Sequence, residues 1–303
     1  MQPSRSAQGL GPHVIGLRVV VRRVLPGETG PSGGPAMTDL LGVCTAWGDG
    51  VCVVVPEEGE PVTIRLADIV AGKPVPPRPS PRLRVSPRQA QTRGFALFPD
   101  LVVTPLAGPS GWLLRSSQTA TARRANSVLA FPDSGSFGAP EVAAVEAHYA
   151  ALGRPVVAAV LGESDERAFL EGLGWVPESH DADTLFQLAS VASVTRALRG
   201  VDTSNVTVTV GGEVAEAVVP GLARGFAAYA DDWVGFRAIE VAPEHRRRGL
   251  ARTIMAALLE WGAERGATTA YLQVLGHNEG ALALYEGVGF TTHHAYAYLT
   301  PAA

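Results

Sequence analysis

Cysteine is nearly absent from this chain: Cys44 and Cys52 are the only two in 303 residues. Neither belongs to a CxxC pair or to a Cys/His spacing, so a metal centre built on them is not expected. They flank Gly48-Asp49-Gly50 on two apolar runs and read as buried, reduced thiols facing each other in a cytoplasmic protein. No apolar run approaches the ~20 residues of a membrane span. No hydrophobic signal region follows Met1; residues 1–13 are polar, rich in Gly and Pro, and expected to be disordered. No sign of charge dominates. A net charge of −4 gives no support to bulk nucleic-acid binding.

What is present divides into segments. Residues 14–72 read as a small all-β module, with short β-branched runs at 14–25, 40–47, 51–55 and 62–66 separated by Gly/Pro turns. This pattern resembles an SH3-like barrel. It would dock a protein partner or serve as a structural cap. Arg18, Arg22 and Arg23 would mark an anionic partner or the solvated face of an alternating strand. Residues 73–89 are dense in Pro and Arg and are expected to form an extended linker.

Two later stretches parallel each other: 160–175 (VLGESDERAFLEGLGW) and 274–290 (VLGHNEGALALYEGVGF), with one residue gapped. Both read as strand, helix, Gly turn and aromatic-led strand. Residues 90–198 and 199–303 therefore read as two copies of one fold, the first diverged. The first copy carries the loop Phe131-Pro-Asp133-Ser-Gly-Ser-Phe-Gly138-Ala, which has an acid and no arginine, and Leu170 stands where the second has Tyr285.

The second copy carries the chemistry. An apolar strand, 233–241, leads into a Pro turn, then Arg246-Arg247-Arg248-Gly249, then a helix from Leu250 with Ile254 and Leu258 on one face. A helix start offers free N–H groups and the positive end of the dipole. Gly249 admits a phosphate to the main chain, and arginines add charged donors. These are the features that binding a polyphosphate needs. Arg246-x-x-Gly249-x-Ala251 matches the acyl-CoA signature of the GCN5-related N-acetyltransferases. The following block, Asn278-x-x-Ala281-x-x-Leu284-Tyr285-x-x-Val288-Gly289-Phe290, resembles that family's next helix and turn. The resemblance spans residues 206–301.

The resemblance implies a mixed α+β fold: an SH3-like β-barrel, then tandem acyltransferase-like mixed-sheet domains, the first degenerate. It implies acetyl transfer from acetyl-CoA to a primary amine in a ternary complex, without a metal. The amine is unidentified: a protein lysine or N-terminus, or a small molecule. Arg246, Arg247, Arg248, Gly249, Leu250, Ala251, Arg252 and Thr253 would hold the pyrophosphate. Ile239 and Val241 would offer backbone groups to the pantetheine arm, with the Val241 N–H facing the thioester carbonyl. Asn278 and Ala281 would line the arm, Asn278 doubling as helix cap. Tyr285 would protonate the leaving thiolate, and Glu240 would serve as base. Asp231 and Asp232 would attract a cationic amine or merely form a turn, and His293 and His294 would stand at the acceptor mouth. The helix pair that shapes the acceptor site in this family has no counterpart before Trp233. The middle domain, or a second subunit in a homodimer, would then complete the site. The alternatives are a non-catalytic acyl-CoA sensor or scaffold, and an adaptor acting through the β module.

Overall fold

A computed structural model of the chain describes residues 10–30, 33–56, 59–75, 84–132 and 135–302. They form two compact units, Met1–Pro79 and Ser80–Ala303.

In the first unit, β1 (Arg18–Thr29), β2 (Pro35–Gly48), β3 (Val51–Pro56), β4 (Val62–Arg65) and β5 (Ile69–Pro74) form an antiparallel sheet in the order β4-β3-β2-β1-β5. Alternation puts Val19 and Val21 inside with Cys44, Cys52, Val54 and Ile64. Strands β4 and β5 are edges, so the expected barrel is not closed. The expectation of disorder through residue 13 fails from residue 10 on: Leu10 and Val14 are buried in this same core, joined by a 3₁₀ turn at Pro12–Val14. Residues 1–9 lie outside the described ones. Both thiols are free and buried. Burial pushes the Cys52 thiol up to about 11, with Cys44 adding to it, so it stays protonated. Arg22 pairs with Asp39 directly across the β1–β2 ladder, 2.8 Å away, as part of a solvated strand face.

The second unit begins earlier than the linker expectation allows. Helix α1 (Pro87–Arg93) starts inside the segment read as linker. Ser86 Oγ accepts from the Gln89 N–H, Gln89 Oε1 accepts from the Ser86 N–H, and Pro87 takes the first helical position, where no N–H is needed. Then follow β6 (Val102–Pro105), β7 (Leu113–Ser116), β8 (Val128–Leu129), α2 (Ala139–Ala151), β9 (Ala158–Leu161), α3 (Asp165–Gly172), β10 (Trp175–Pro177), β11 (Thr184–Ser190) and α4 (Val191–Ala197). The remainder is β12 (Thr207–Gly211), β13 (Val214–Val219), β14 (Ala223–Ala230), β15 (Trp233–Val241), α5 (Leu250–Glu264), β16 (Thr269–Leu275), α6 (Glu279–Gly287) and β17 (Thr291–Pro301).

Twelve strands among the described residues share one sheet, ordered β12-β13-β14-β15-β16-β11-β17-β9-β8-β7-β6, with β10 also on β17. Its parallel pairs are β8–β9 and β15–β16, each joined by a crossover helix, α2 or α5. The two halves interlock. Strand β11 lies before residue 198 in sequence, yet it fills the place between β16 and β17, antiparallel to both. In return, the end of β17 pairs with β9 and β10. A boundary at 198/199 therefore cuts through a shared sheet.

Helix α5 packs Ile254, Leu258 and Trp261 against the right half of the sheet, with α4 and α6 in the same core. Among the described residues no α-helix lies between Ala197 and Leu250. The other face of that half carries Trp233, Tyr271 and Phe186, and it is covered by α1 and the 3₁₀ turn Gly94–Leu97.

Candidate active site

The ladder between β15 and β16 runs from Trp233↔Thr269 to Phe236↔Leu272 and stops. Beyond it β16 continues to Leu275 on β11, whereas β15 turns away. A bulge drives the departure: Ala238 has φ +49°, and the β14–β15 register slips opposite Gly225. A Cβ on Gly225 would stand 2.5 Å from the Ile239 side chain and 2.7 Å from Ile254, so glycine is what lets the bulged strand sit down on α5. The result is a wedge opening between residues 237–241 and 273–275.

The wedge leads to the α5 N-terminus. Gly249 takes φ +84° as the residue before the helix, a conformation that costs an L-residue about 1–2 kcal/mol. Nothing lies within 4 Å of where its Cβ would be, so a ligand can approach. The first helical N–H with a partner is that of Thr253, donating to the Gly249 carbonyl at 3.1 Å. The N–H groups of Leu250, Ala251 and Arg252 precede it and have no intrahelical acceptor. Arg246, Arg247 and Arg248 are exposed here, Arg247 held at φ +64°. Arg252 does not join them. Its guanidinium donates to the Ala197 carbonyl at 2.7 Å and caps the end of α4, which leaves its backbone N–H as the first-turn donor.

Tyr285 is half-buried on α6, edge-on to Phe290 with ring centroids 6.0 Å apart. Burial raises its phenol pKa, and the charge of Arg124 works in the opposite direction. Ala281 and Tyr285 line one side of the α6 core contact, and Asn278 caps the helix, its Oδ1 accepting the Ala281 N–H at 3.1 Å. Ile239 and Val241 point toward the α5 core. Glu240 points the other way and is not free: Arg224 donates to it at 2.8 Å across the β14–β15 ladder, both side chains 55% exposed. The pair borders an open groove of about 450 Å³ that also touches Gly221, Val241, Pro243 and Arg246. Asp231 pairs with Arg93, and Asp232 Oδ2 accepts from the Thr268 hydroxyl at 2.6 Å, so both turn acids are already engaged.

The two histidines belong to the sheet face rather than to an open mouth. The Gln91 amide lies 3.1 Å from His294 Nε2, the two Nδ1 atoms of His293 and His294 are 2.7 Å apart, and His293 Nε2 lies 2.9 Å from the Val85 carbonyl. Gln91 donating fixes the chain of protons: His294 carries its proton on Nδ1, and His293 carries its own on Nε2. Burial, reinforced by His293, pushes His294 down to about 3 from 6.5. Between pH 7 and pH 5 the unfolded imidazole therefore takes up a proton that the folded one refuses. Stability falls with pH through that window by about 2 kcal/mol from this group. Urea unfolding of wild type and His294→Gln at both pH values should show the loss shrinking by that amount in the variant; an identical loss would remove His294 as its source.

The sequence pointed to the middle domain, or a second subunit, as what completes the site, but named none of the residues it supplies. Phe95, Phe98, Arg115 and Arg124 stand with Arg237, Gln273, Tyr296 and Tyr298 around the second sheet face. Only the topology brings them together. In the corresponding loop of the first half, Glu141 accepts the N–H of the N-cap Gly138 at 2.8 Å, so a carboxylate stands at that helix start. Asp133 of that loop lies outside the described residues.

Comparison with known proteins places similarity in the second half of the chain. Residues 184–299 match the family model described as "Probable histone acetyltransferase Rv0428c C-terminal". The match begins at the first residue of β11. The probable histone acetyltransferase Rv0428c of Mycobacterium tuberculosis is 39% identical over 99 residues, which cover 31% of this chain and 32% of that protein. The ribosomal protein bS18-alanine N-acetyltransferase of Escherichia coli is 40% identical over 52 residues, 17% of this chain and 35% of the relative. The chain thus spans about a third of the length of these curated relatives. A GCN5-related N-acetyltransferase from Kribbella flavida superposes with TM-score 0.54 at 17% identity, covering 71% of this chain and 95% of the other, a likeness of fold. In sequence over residues 184–299 and in fold over the larger part of the chain, the protein is similar to the GCN5-related N-acetyltransferases.

Proposed function

We propose that the chain is an acetyl-CoA-dependent N-acetyltransferase that moves the acetyl group directly to a primary amine within a ternary complex. The observation that carries this reading is the wedge between β15 and β16 that opens at the Ala238 bulge and ends at the left-handed Gly249. A pantetheine arm needs such a slot, and a pyrophosphate needs such a helix start. Arg246, Arg247 and Arg248 with the first-turn N–H groups hold the pyrophosphate. Backbone groups of Ile239 and Val241 align the arm, and the Val241 N–H stabilises the oxyanion. The amine attacks the thioester carbonyl, the tetrahedral intermediate collapses, and the Tyr285 hydroxyl gives its proton to the departing CoA thiolate. Burial favours the protonated phenol that this step requires. Glu240 takes the ammonium proton only once its pair with Arg224 opens. The β8-α2-β9-α3-β10 run repeats β15-α5-β16-α6-β17 in order, which supports reading the middle region as a second copy without a cofactor site. The order β5-β1-β2-β3-β4 supports an SH3-like reading of the first unit, as a docking module.

Calorimetric titration with acetyl-CoA tests this first. One site per chain is expected; two sites would overturn the cofactor-free middle copy, and no binding would sink the transferase reading. Replacing Tyr285 by Phe should lower kcat about 100-fold or more with any amine the enzyme accepts, while acetyl-CoA affinity stays within about twofold. Equal losses in both would make Tyr285 a packing residue.

A further inference from the structure

Three guanidinium groups on the second sheet face lack a carboxylate partner. Three acids of this region are already taken: Asp231 by Arg93, Glu178 by Arg123 and Glu240 by Arg224. Among the described residues Arg115, Arg124 and Arg237 have no ion pair.

Arg237 is the first residue of β15 past its last rung with β16, and so stands at the apex of the wedge. It lies on the face of Trp233 and Tyr271, opposite α5. Its guanidinium stacks between Phe226, 4.4 Å away, and Phe98, 5.4 Å away. Its Nε is fully buried and makes no hydrogen bond. Glu216 is the one acid whose charge reaches it, from two strands away and without contact.

Arg124 comes from the 3₁₀ turn Arg123–Ala125. That turn lies on the same face, since Ala125 is buried with Phe98 and Tyr271 and Arg123 covers the Tyr298 ring at 4.6 Å. The loop behind it is held firmly. Asp100 accepts from the Ser117 hydroxyl and from the Gln118 and Thr119 N–H groups, and Asn126 bridges Ser117 and Ala120. Ala125, next to Arg124 on that turn, shares a core cluster with Phe98, the ring that the Arg237 guanidinium covers. Arg115, 2% exposed, stands behind the turn with neutral partners only, the Ser127 carbonyl at 3.0 Å and hydroxyl at 2.7 Å.

A guanidinium cannot shed its proton to escape burial, and leaving one unpaired is costly. Arg237 at the apex of the wedge, Arg124 on the turn whose Ala125 packs with Phe98, and Arg115 behind that turn make an anion receptor. The cofactor's phosphates belong at Gly249, on the α5 side. The pantetheine arm itself is uncharged.

Resting on the transferase reading above, we infer that Arg124 and Arg237 bind an anionic group of the acceptor, so that the substrate is an amine carrying a carboxylate or a phosphate rather than a basic protein tail. A carboxylate or phosphate accepts paired N–H donors from a guanidinium, which fixes the amine relative to the thioester. A lysine-rich tail would meet like charge instead. Arg115 acts as a positioning residue that holds the turn bearing Arg124.

The test uses the full chain with acetyl-CoA and three amine classes: free amino acids, aminoalkyl phosphates, and the matching amino-acid amides together with a lysine-rich peptide. Turnover should favour one of the two anionic classes, and which one identifies the group. Arg124→Gln and Arg237→Gln should each raise KM for that class about 10- to 100-fold, with Arg124→Lys recovering part of the loss and acetyl-CoA affinity unchanged. A variant-free arm guards against misfolding: N-acetylated products of the preferred class should compete with the amine, and their uncharged amides should not. Preference for the amides or the peptide, turnover with none of the three classes, or KM unmoved in both variants overturns the inference while calorimetric acetyl-CoA binding leaves the transferase reading standing. Loss of that binding in the wild type sinks both.

Discussion

A chain cut at residue 198 and expressed as 199–303 is expected not to fold. The fragment holds the whole Arg246–Ala251 segment and all of α5, yet it lacks β11. Without that strand the facing edges of β16 and β17 lose seven and five paired residues respectively. Phe186 and Leu188 leave the core with Trp233 and Tyr271. Phe186 stacks on Tyr271 at 5.6 Å and on His294 at 5.0 Å, so its removal empties the centre of the second face. Losing one buried Phe side chain costs about 3–5 kcal/mol, and total domain stabilities are about 5–15 kcal/mol. Two hydrogen-bonding edges left facing each other would also invite association. Circular dichroism and size-exclusion chromatography of 199–303 should show an unfolded or aggregated chain. Restarting it at residue 184 restores β11 but not α1, so gain of strand signal with loose packing is expected. A monomeric, cooperatively melting 199–303 fragment would overturn the interlocked sheet as a stability requirement.

The elements themselves were legible because they rest on local signals. The spacing of Ile254 and Leu258 marked α5, and Gly249 marked its start. Asn278 announced α6 by its capping chemistry, three residues before the N–H it accepts. The parallel between 160–175 and 274–290 predicted the order of helices and strands in both halves. These features depend on residues within one or two turns of each other.

Pairing does not. Nothing in Thr184–Ser190 says that it will leave the segment it follows and lie between β16 and β17; the apolar alternation suits any half-buried strand. The same limit hid α1, whose Pro87 and Arg88 look like the end of a Pro/Arg-rich linker until Ala90 and Gln91 are seen buried on the sheet. Arg252 illustrates a finer limit. Its place in the first turn suits phosphate, but its guanidinium donates to the Ala197 carbonyl, a contact that sequence distance conceals. Glu240 likewise sits where a base is wanted, while the opposing strand supplies Arg224 to occupy it. Residues from the middle of the chain line the second face because the strand exchange carries them there. The absence of a helix pair before Trp233 signalled that the middle domain or a second subunit must complete the site, without saying which residues would do so.

Arg246→Ala combined with Gly249→Glu should weaken acetyl-CoA binding at least about 100-fold with the melting temperature lowered only modestly. The two changes act through different physics. Glycine at φ +84° is the conformation from which the first three N–H groups of α5 open to solvent. Glutamate there would carry about 1–2 kcal/mol of strain, or the turn would relax and reorient those donors. Its carboxylate would also lie where the proposed pyrophosphate arrives, and its negative charge would itself be favoured at the helix N-terminus. Removing Arg246 takes away a charged donor next to the groove. Each loss is about 1.5–3 kcal/mol for interactions with charged groups, and together they exceed a hundredfold. Because Gly249 has open space around its Cβ position and Arg246 is exposed, neither change disturbs the α5 core. Gly249→Ala separates the contributions: it carries the strain without the charge and should fall between wild type and the double variant. Calorimetry on all three proteins decides the matter. An affinity unchanged in the double variant would move the phosphate site away from the α5 N-terminus, and with it the direction in which the wedge is entered.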